Sequence, residues 1–272
     1  MLDHGPLYDA CANGKILPLY ILEPDLWRQP DVSYRHFLYL QHYLSQLEDM
    51  FNKKGSKLVL KVGEALSVLK SLAARHNVRA IYSHYETWNK FSKDRDLAIR
   101  KWTEEKSIDW KEYQQNGVVR NLNSRDGWSA LWHSHMRKKI YEVPEKIFCI
   151  SEDSDSLPSF KDLQLEFDGF EPSTNFGKIE PGIVLKSFLS ERGENYQREM
   201  SGPLLSADSC SRLSTHIAFG TISIRTIFQK TQEQTGKRLD LVGDKIKNWR
   251  ASYSSFQKRL RWHCHFIQKL ED

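Results

Sequence analysis

Apolar and polar positions follow two different rhythms along this chain. Over roughly the first 110 residues, short apolar runs are separated by longer amphipathic stretches, the order expected of an α/β domain. Ile16 to Leu22 is a mostly apolar run bounded by Gly14 and Pro24, which suits a buried parallel strand. Phe37, Leu38, Leu40, Leu44, Leu47 and Phe51 recur at mostly helical spacing and predict a helix across Val32 to Asn52. Lys57 to Val62 and Val78 to Ser83 predict two more strands, and Ile108 to Tyr113 a weaker fourth. Leu66, Val68, Leu69 and Leu72 place a helix over Glu64 to His76, and another spans Asp94 to Lys106. Asn123 to Gly127 predicts a turn that opens a helix, with Asp126 as its cap.

The rhythm changes near Cys149. Ser151 to Ser159 (SEDSDSLPS) is polar and acidic, and Glu171 to Gly177 adds Pro and Gly, the composition of a linker or long surface loop. Helical spacing dominates beyond it. Ile183, Leu185, Phe188 and Leu189 form one pattern, Cys210 to Phe219 a second, Ser223 to Gln234 a third and Ser254 to Leu270 a fourth. The predicted architecture is an α/β domain with a parallel sheet over residues 1–138, a linker over 139–178, and the beginning of an all-α domain over 179–272. No internal repeat is present.

Composition narrows the classes. Eight Trp and eleven Tyr are many for 272 residues, so a densely packed core or planar partners such as bases and flavins are indicated. The net charge of +5 is too mild to mark a nucleic-acid binder by itself. Cys11, Cys149, Cys210 and Cys264 are scattered with no C-x-x-C pair, which disfavours a disulfide scaffold or zinc ribbon and fits a reducing compartment. No apolar run approaches the ~20 residues of a membrane span, and a soluble, cytoplasmic protein is expected. Trp132-His133-Ser134-His135 and Trp262-His263-Cys264-His265 each carry two histidines two positions apart. On a helix such residues diverge by about 200°, so neither pair converges on a metal ion.

Four segments together resemble the photolyase/cryptochrome flavoproteins. They are Asp3-His4-Gly5-Pro6-Leu7 with Leu17 to Trp27; Glu86 to Trp102; Arg192 to Ser223; and Ser255 to Phe266 around Arg259-Leu260-Arg261-Trp262. The third is the most specific. Arg192-Gly193-Glu194-Asn195-Tyr196 leads into Cys210-Ser211-Arg212-Leu213-Ser214 and then Phe219-Gly220-Thr221-Ile222-Ser223.

The resemblance implies FAD held in a helical domain, a second antenna chromophore of folate or deazaflavin type over Glu86 to Trp102, and damaged DNA as partner of a monomer. It places the FAD diphosphate on Cys210, Ser211, Arg212, Leu213 and Ser214, with Tyr196 packing nearby and Phe256, Arg259 and His263 as further cofactor contacts. Ser and Arg suit that task, since hydroxyls donate hydrogen bonds and a guanidinium fork pairs with anions. If Ala207-Asp208-Ser209 opens a helix, its first N–H groups would point at the diphosphate. The residues alone also allow Ser211 and Ser214 to be simple capping groups.

Trp262 and Arg259 are implied as DNA contacts, with Lys258, Arg259 and Arg261 as a basic rim. Arg259 falls where many repair enzymes for cyclobutane dimers carry a glutamate, and His263 where an arginine is common. An arginine cannot serve as acid or acceptor. Three readings therefore stand together. One is a light-driven enzyme transferring an electron from FAD to pyrimidine dimers, another a non-enzymatic photoreceptor, and the third a non-functional fragment or nucleotide-binding α/β module. The resemblance further implies that the family's first strand lies ahead of Asp3 and more helical chain beyond Asp272. On that expectation the strands at Leu17 and Ile81 each keep an unpaired edge, and this polypeptide alone holds FAD weakly or not at all.

Overall fold

A computed structural model describes residues 1–172, 179–237 and 243–272. The chain packs as two compact units. The first gathers Asp3–Tyr113 and the described residues from Glu142 to 172; the second gathers Gln114–Tyr141 and the described residues from 179 onward.

In the first unit, parallel strands alternate with helices. The strands are β1 (Leu19–Leu22), β2 (Val59–Val62), β3 (Ala80–His84) and β4 (Asp109–Tyr113). The helices are α1 (Gly5–Asn13), α2 (Pro24–Trp27), α3 (Tyr34–Asn52), α4 (Ala65–Arg75) and α5 (Lys90–Glu105). Side chains start three of these helices: His4 accepts from the Leu7 amide, Glu64 from that of Ser67 and Asn89 from that of Ser92. Helix α1 escaped the pattern reading, because its apolar positions are few and its start rests on the His4 cap and Pro6. Phe51, Leu58 and Ile147 anchor one core and Ala65, Ile99 and Trp102 another.

The sheet is two separate ladders. β1 pairs with β2 from Leu19↔Val59 to Leu22↔Val62, and β3 with β4 from Ala80↔Asp109 to His84↔Tyr113. No ladder joins β1 to β3 among the described residues.

The far edge of β2 is covered by the segment read as a linker. Ser154 Oγ accepts from the Leu60 amide, Asp155 Oδ2 from the Val62 amide, and the Asp155 amide donates to the Leu60 carbonyl. Glu152 pairs with Lys61, Arg75 and His76, while Arg35 pairs with Asp168 at 2.5 Å and lies over Phe170. The acidic run is therefore an edge-protecting strap of the first unit. The boundaries of 1–138, 139–178 and 179–272 are corrected accordingly: residues 114–138 pack with the helical unit and 142–172 with the α/β unit. Polar composition hid this, because the strap is held by charges and backbone groups.

The second unit contains α6 (Trp128–Met136), α7 (Pro181–Ser187) continuing as a π turn over Phe188–Arg192, α8 (Tyr196–Glu199), α9 (Ser206–Ser209), α10 (Ser214–Ala218), α11 (Ile224–Lys237) and α12 (Gly243–Glu271). Trp132, Phe188, Ile227, Phe228, Trp249 and Tyr253 fill its core. Three expectations are corrected here. Asp126 caps nothing, since Gly127 in the left-handed region precedes α6 and no side chain caps it. The stretch from Cys210 to Phe219 is a turn followed by a short helix, because Arg212 has φ 59° and breaks the pattern. Ala207-Asp208-Ser209 closes a helix rather than opening one.

Candidate functional site

The Cys210–Ser214 turn lies wholly within the second unit. α9 ends at Ser209, Cys210 is extended, Arg212 is left-handed, and Leu213 returns to the right-handed region before α10. Leu213 is buried in the core and anchors the turn from below, while Ser211 is half-buried and Arg212 and Ser214 are exposed. Alternating left- and right-handed residues aim successive N–H groups to one side, the arrangement of an anion-binding nest. Among the described residues, the N–H groups of Ser211 through Ser214 and the hydroxyls of Ser211 and Ser214 make no hydrogen bond.

Arg192, at the end of the π turn, holds the turn from behind. It donates to the carbonyls of Asp208 (2.8 Å), Cys210 (2.6 Å), Val184 (3.4 Å) and Ser211 (3.5 Å), and to Ser187 Oγ (2.8 Å). Burial and then the nearby Arg212 pull its pKa down. Gly193 is required beside it, since a Cβ there would stand 2.5 Å from the Phe188 carbonyl. Arg212 itself donates to the Ala207 carbonyl and to Asp208 at 3.3 Å. Burial raises the Cys210 thiol, opposed by Arg192, Arg212 and Arg259. Arg192 is the residue that the sequence reading passed over as a site group. Its signal was its place at the head of the most specific segment.

The other expected contacts divide. Tyr196 and Phe256 are buried and meet edge-to-face at 5.8 Å, with Phe188 against both. They form the apolar floor under the turn. Burial pushes the Tyr196 hydroxyl up to about 12, with Cys210 adding and Arg259 opposing. His263 is exposed on α12, with Nδ1 3.8 Å from the sulfur of its neighbour Cys264. Arg259 stands 4.5 Å over the ring of Trp262, which is 46% exposed. Among the described residues no cluster of three or more His, Cys, Asp or Glu could hold a metal, and no helix is long and apolar enough to cross a membrane.

In the first unit, Glu86 opens the segment expected over an antenna chromophore. It joins a charged cluster at the carboxyl ends of β1 and β3. Arg95 binds Glu23 (3.0 Å), Glu86 (2.9 Å) and Asp96 (2.8 Å), and Glu23 also accepts from the Ala65 amide at 2.9 Å.

Residues 1–128 match the family model described as DNA photolyase. Among curated proteins, a deoxyribodipyrimidine photo-lyase of Synechococcus sp. is 22% identical over 279 residues, covering 92% of this chain and 54% of its own length. The chain thus spans about half the length of the curated relatives it matches. Among solved structures, a cryptochrome of Synechocystis sp. PCC6803 superposes with a TM-score of 0.76 at 18% identity, covering 99% of this chain and 59% of that one. An archaeal photolyase from Sulfolobus tokodaii, solved with two FAD molecules, gives 0.64 at 23% identity, covering 99% and 56%.

Proposed function

We propose that the chain is a photolyase/cryptochrome-family protein, as the DNA photolyase model over residues 1–128 supports, and that it carries the diphosphate-holding part of a blue-light flavoprotein whose parent activity is light-driven electron transfer from FAD to pyrimidine dimers in DNA. The observation that carries this reading is the Cys210–Ser214 turn, with its unbonded N–H groups and hydroxyls and the guanidinium groups of Arg192 and Arg212 beside it. A diphosphate needs many donors and positive charge in one small place, and this turn supplies both. Arg212 contributes the charge, Ser211 and Ser214 the hydroxyl donors, and Arg192 keeps the turn in shape by occupying its carbonyls. Leu213, Tyr196 and Phe256 keep water from the underside. When bound, FAD supplies one-electron chemistry driven by light. Trp262 and Arg259 are the DNA-facing pair, and a folate- or deazaflavin-type antenna belongs with the Glu86–Trp102 segment. The Sulfolobus relative, with its two FAD molecules, supports a second chromophore in this family.

Equilibrium dialysis of the 272-residue chain with FAD tests the reading. Weak binding that ADP displaces and Arg212→Ala abolishes is the expected result; binding unaffected by Arg212→Ala defeats it. Arg259 favours a second reading, a photoreceptor without repair activity, because a cation over Trp262 cannot accept a hydrogen bond from a lesion. Illumination of an ultraviolet-damaged oligothymidylate with the flavin-loaded protein separates the two. Dimer loss selects the enzyme, and unchanged dimers select the receptor.

A further inference from the structure

The amino-terminal end of the β1–β2 ladder carries a cluster of lysines. Lys15 precedes β1 and Lys57 precedes β2; the two strands are parallel, so both fall at one end, opposite Glu23. The Phe148 carbonyl accepts from the Ile16 amide at 2.8 Å and the Ile16 carbonyl from the Ile150 amide at 3.0 Å, which brings Lys146 and Phe148 beside Lys15. Lys54 Nζ donates to the Glu145 carbonyl at 3.5 Å, and Ser56 Oγ lies 2.5 Å from Cys149 Sγ. The turn carrying Lys53, Lys54 and Lys57 therefore meets the same loop. Residues 14–16, 53–57 and 145–149 together hold five lysines, no arginine and one carboxylate, that of Glu145. No carboxylate pairs with any of the five among the described residues. Side chains alternate along the extended segment pinned to Ile16. Ile147 is 5% exposed and Cys149 turns to Ser56, so Phe148 between them faces out, 61% exposed.

We infer that this end of the α/β unit docks on an anionic lipid surface, with the lysines against headgroup charges and the Phe148 ring at the acyl boundary. The inference is independent of the flavin reading, since none of these residues belongs to the Cys210–Ser214 turn or to α12. Residue type selects the occupant. Protein interfaces are depleted in lysine, and the fixed phosphates of a nucleic acid favour the arginine fork, which is missing here. Lipid headgroups move in a fluid plane and ask for charge density rather than fixed geometry, which flexible ammonium groups supply. A single exposed ring flanked by cations suits the boundary between headgroups and acyl chains. Each lysine close to such a surface contributes about fivefold in affinity.

Co-sedimentation of the full chain with phosphatidylcholine vesicles, with and without about 30% phosphatidylserine, tests this. Binding about tenfold or more tighter to the anionic vesicles is expected, weakening as added salt shortens the Debye length. Lys53→Gln combined with Lys54→Gln should weaken it about tenfold or more, and Phe148→Ala about fivefold, with recovery in Phe148→Trp. Lys70→Gln, exposed on α4, should leave it unchanged. Equal binding to neutral vesicles, no binding to anionic ones, or binding untouched in the double lysine variant or in Phe148→Ala overturns the inference. A duplex oligonucleotide or an acidic peptide held through Lys53 and Lys54 without vesicle binding also overturns it, and puts a nucleic acid or a protein in the lipid's place. None of these measurements uses FAD, so failure of the flavin reading leaves them unaffected.

Discussion

The guanidinium of Arg192 donates to the carbonyl of Cys210 at 2.6 Å, so a half-buried cation behind the turn fixes the direction of its backbone. Because that carbonyl points inward, the N–H groups that follow are left on the outer side, where a diphosphate is proposed to lie. The shape of the proposed anion site is thus set by a residue that need not touch the anion.

Arg192→Ala should destabilise the second unit by about 2–3 kcal/mol, since several carbonyls lose a charged donor together. Arg192→Lys should restore only part of this, because one ammonium cannot span carbonyls from Val184, Asp208 and Cys210 as a planar fork does. Urea denaturation of the two variants measures both effects. Equal stability of wild type and Arg192→Ala would show that the clamp is dispensable.

The strap gives the first unit a defined acid sensitivity. His76, then Lys61 and Arg75, hold the Glu152 carboxyl down to about 2. Its folded pKa lies below the unfolded value of about 4.3, so the stabilisation is present above that pH and is lost as pH falls through 4.3 toward 2. Glu152→Gln should lower stability at neutral pH and flatten the acid limb. Urea midpoints collected between about pH 6 and pH 2.5 test this; an acid limb identical in the variant would refute it.

Gly117 has no room for a side chain. A Cβ there would stand 1.9 Å from Trp132 Cδ1, a ring fully buried in the helical unit. Gly117 also donates to Cys264 sulfur and accepts from Trp128 Nε1, so its backbone cannot retreat cheaply. Gly117→Ala should cost about 1–3 kcal/mol by overpacking, with part regained when Trp132 is reduced to Leu. Thermal unfolding of the single and double variants provides the comparison.

Gln268 closes the end of α12 on Val119. Its side-chain amide accepts from the Val119 N–H at 2.8 Å and donates to the Val119 carbonyl at 2.9 Å, and the residue is fully buried. Gln268→Leu keeps the volume but leaves both groups unpaired, at about 1–3 kcal/mol each. Amide hydrogen exchange at Val119 should accelerate in that variant, and unchanged protection would contradict the assignment.

The sequence by itself determined the alternation of strands and long helices over the first 113 residues, because β1, β2 and β3 lie in local apolar runs and each long helix is a local amphipathic stripe, with β4 only weakly marked. It also carried the resemblance to the photolyase/cryptochrome family, through the Arg192–Ser223 segment, and with it the place of the proposed anion turn. Tertiary structure decided what local pattern does not encode. The polar strap on β2 is stabilised by Lys61, Arg75 and His76, which are distant in sequence. The break at Arg212 depends on a left-handed residue inside an apparently helical pattern. Tyr196 and Phe256 became floor, and Trp262 and Phe266 surface, because the facing of an aromatic residue is set by what packs against its helix.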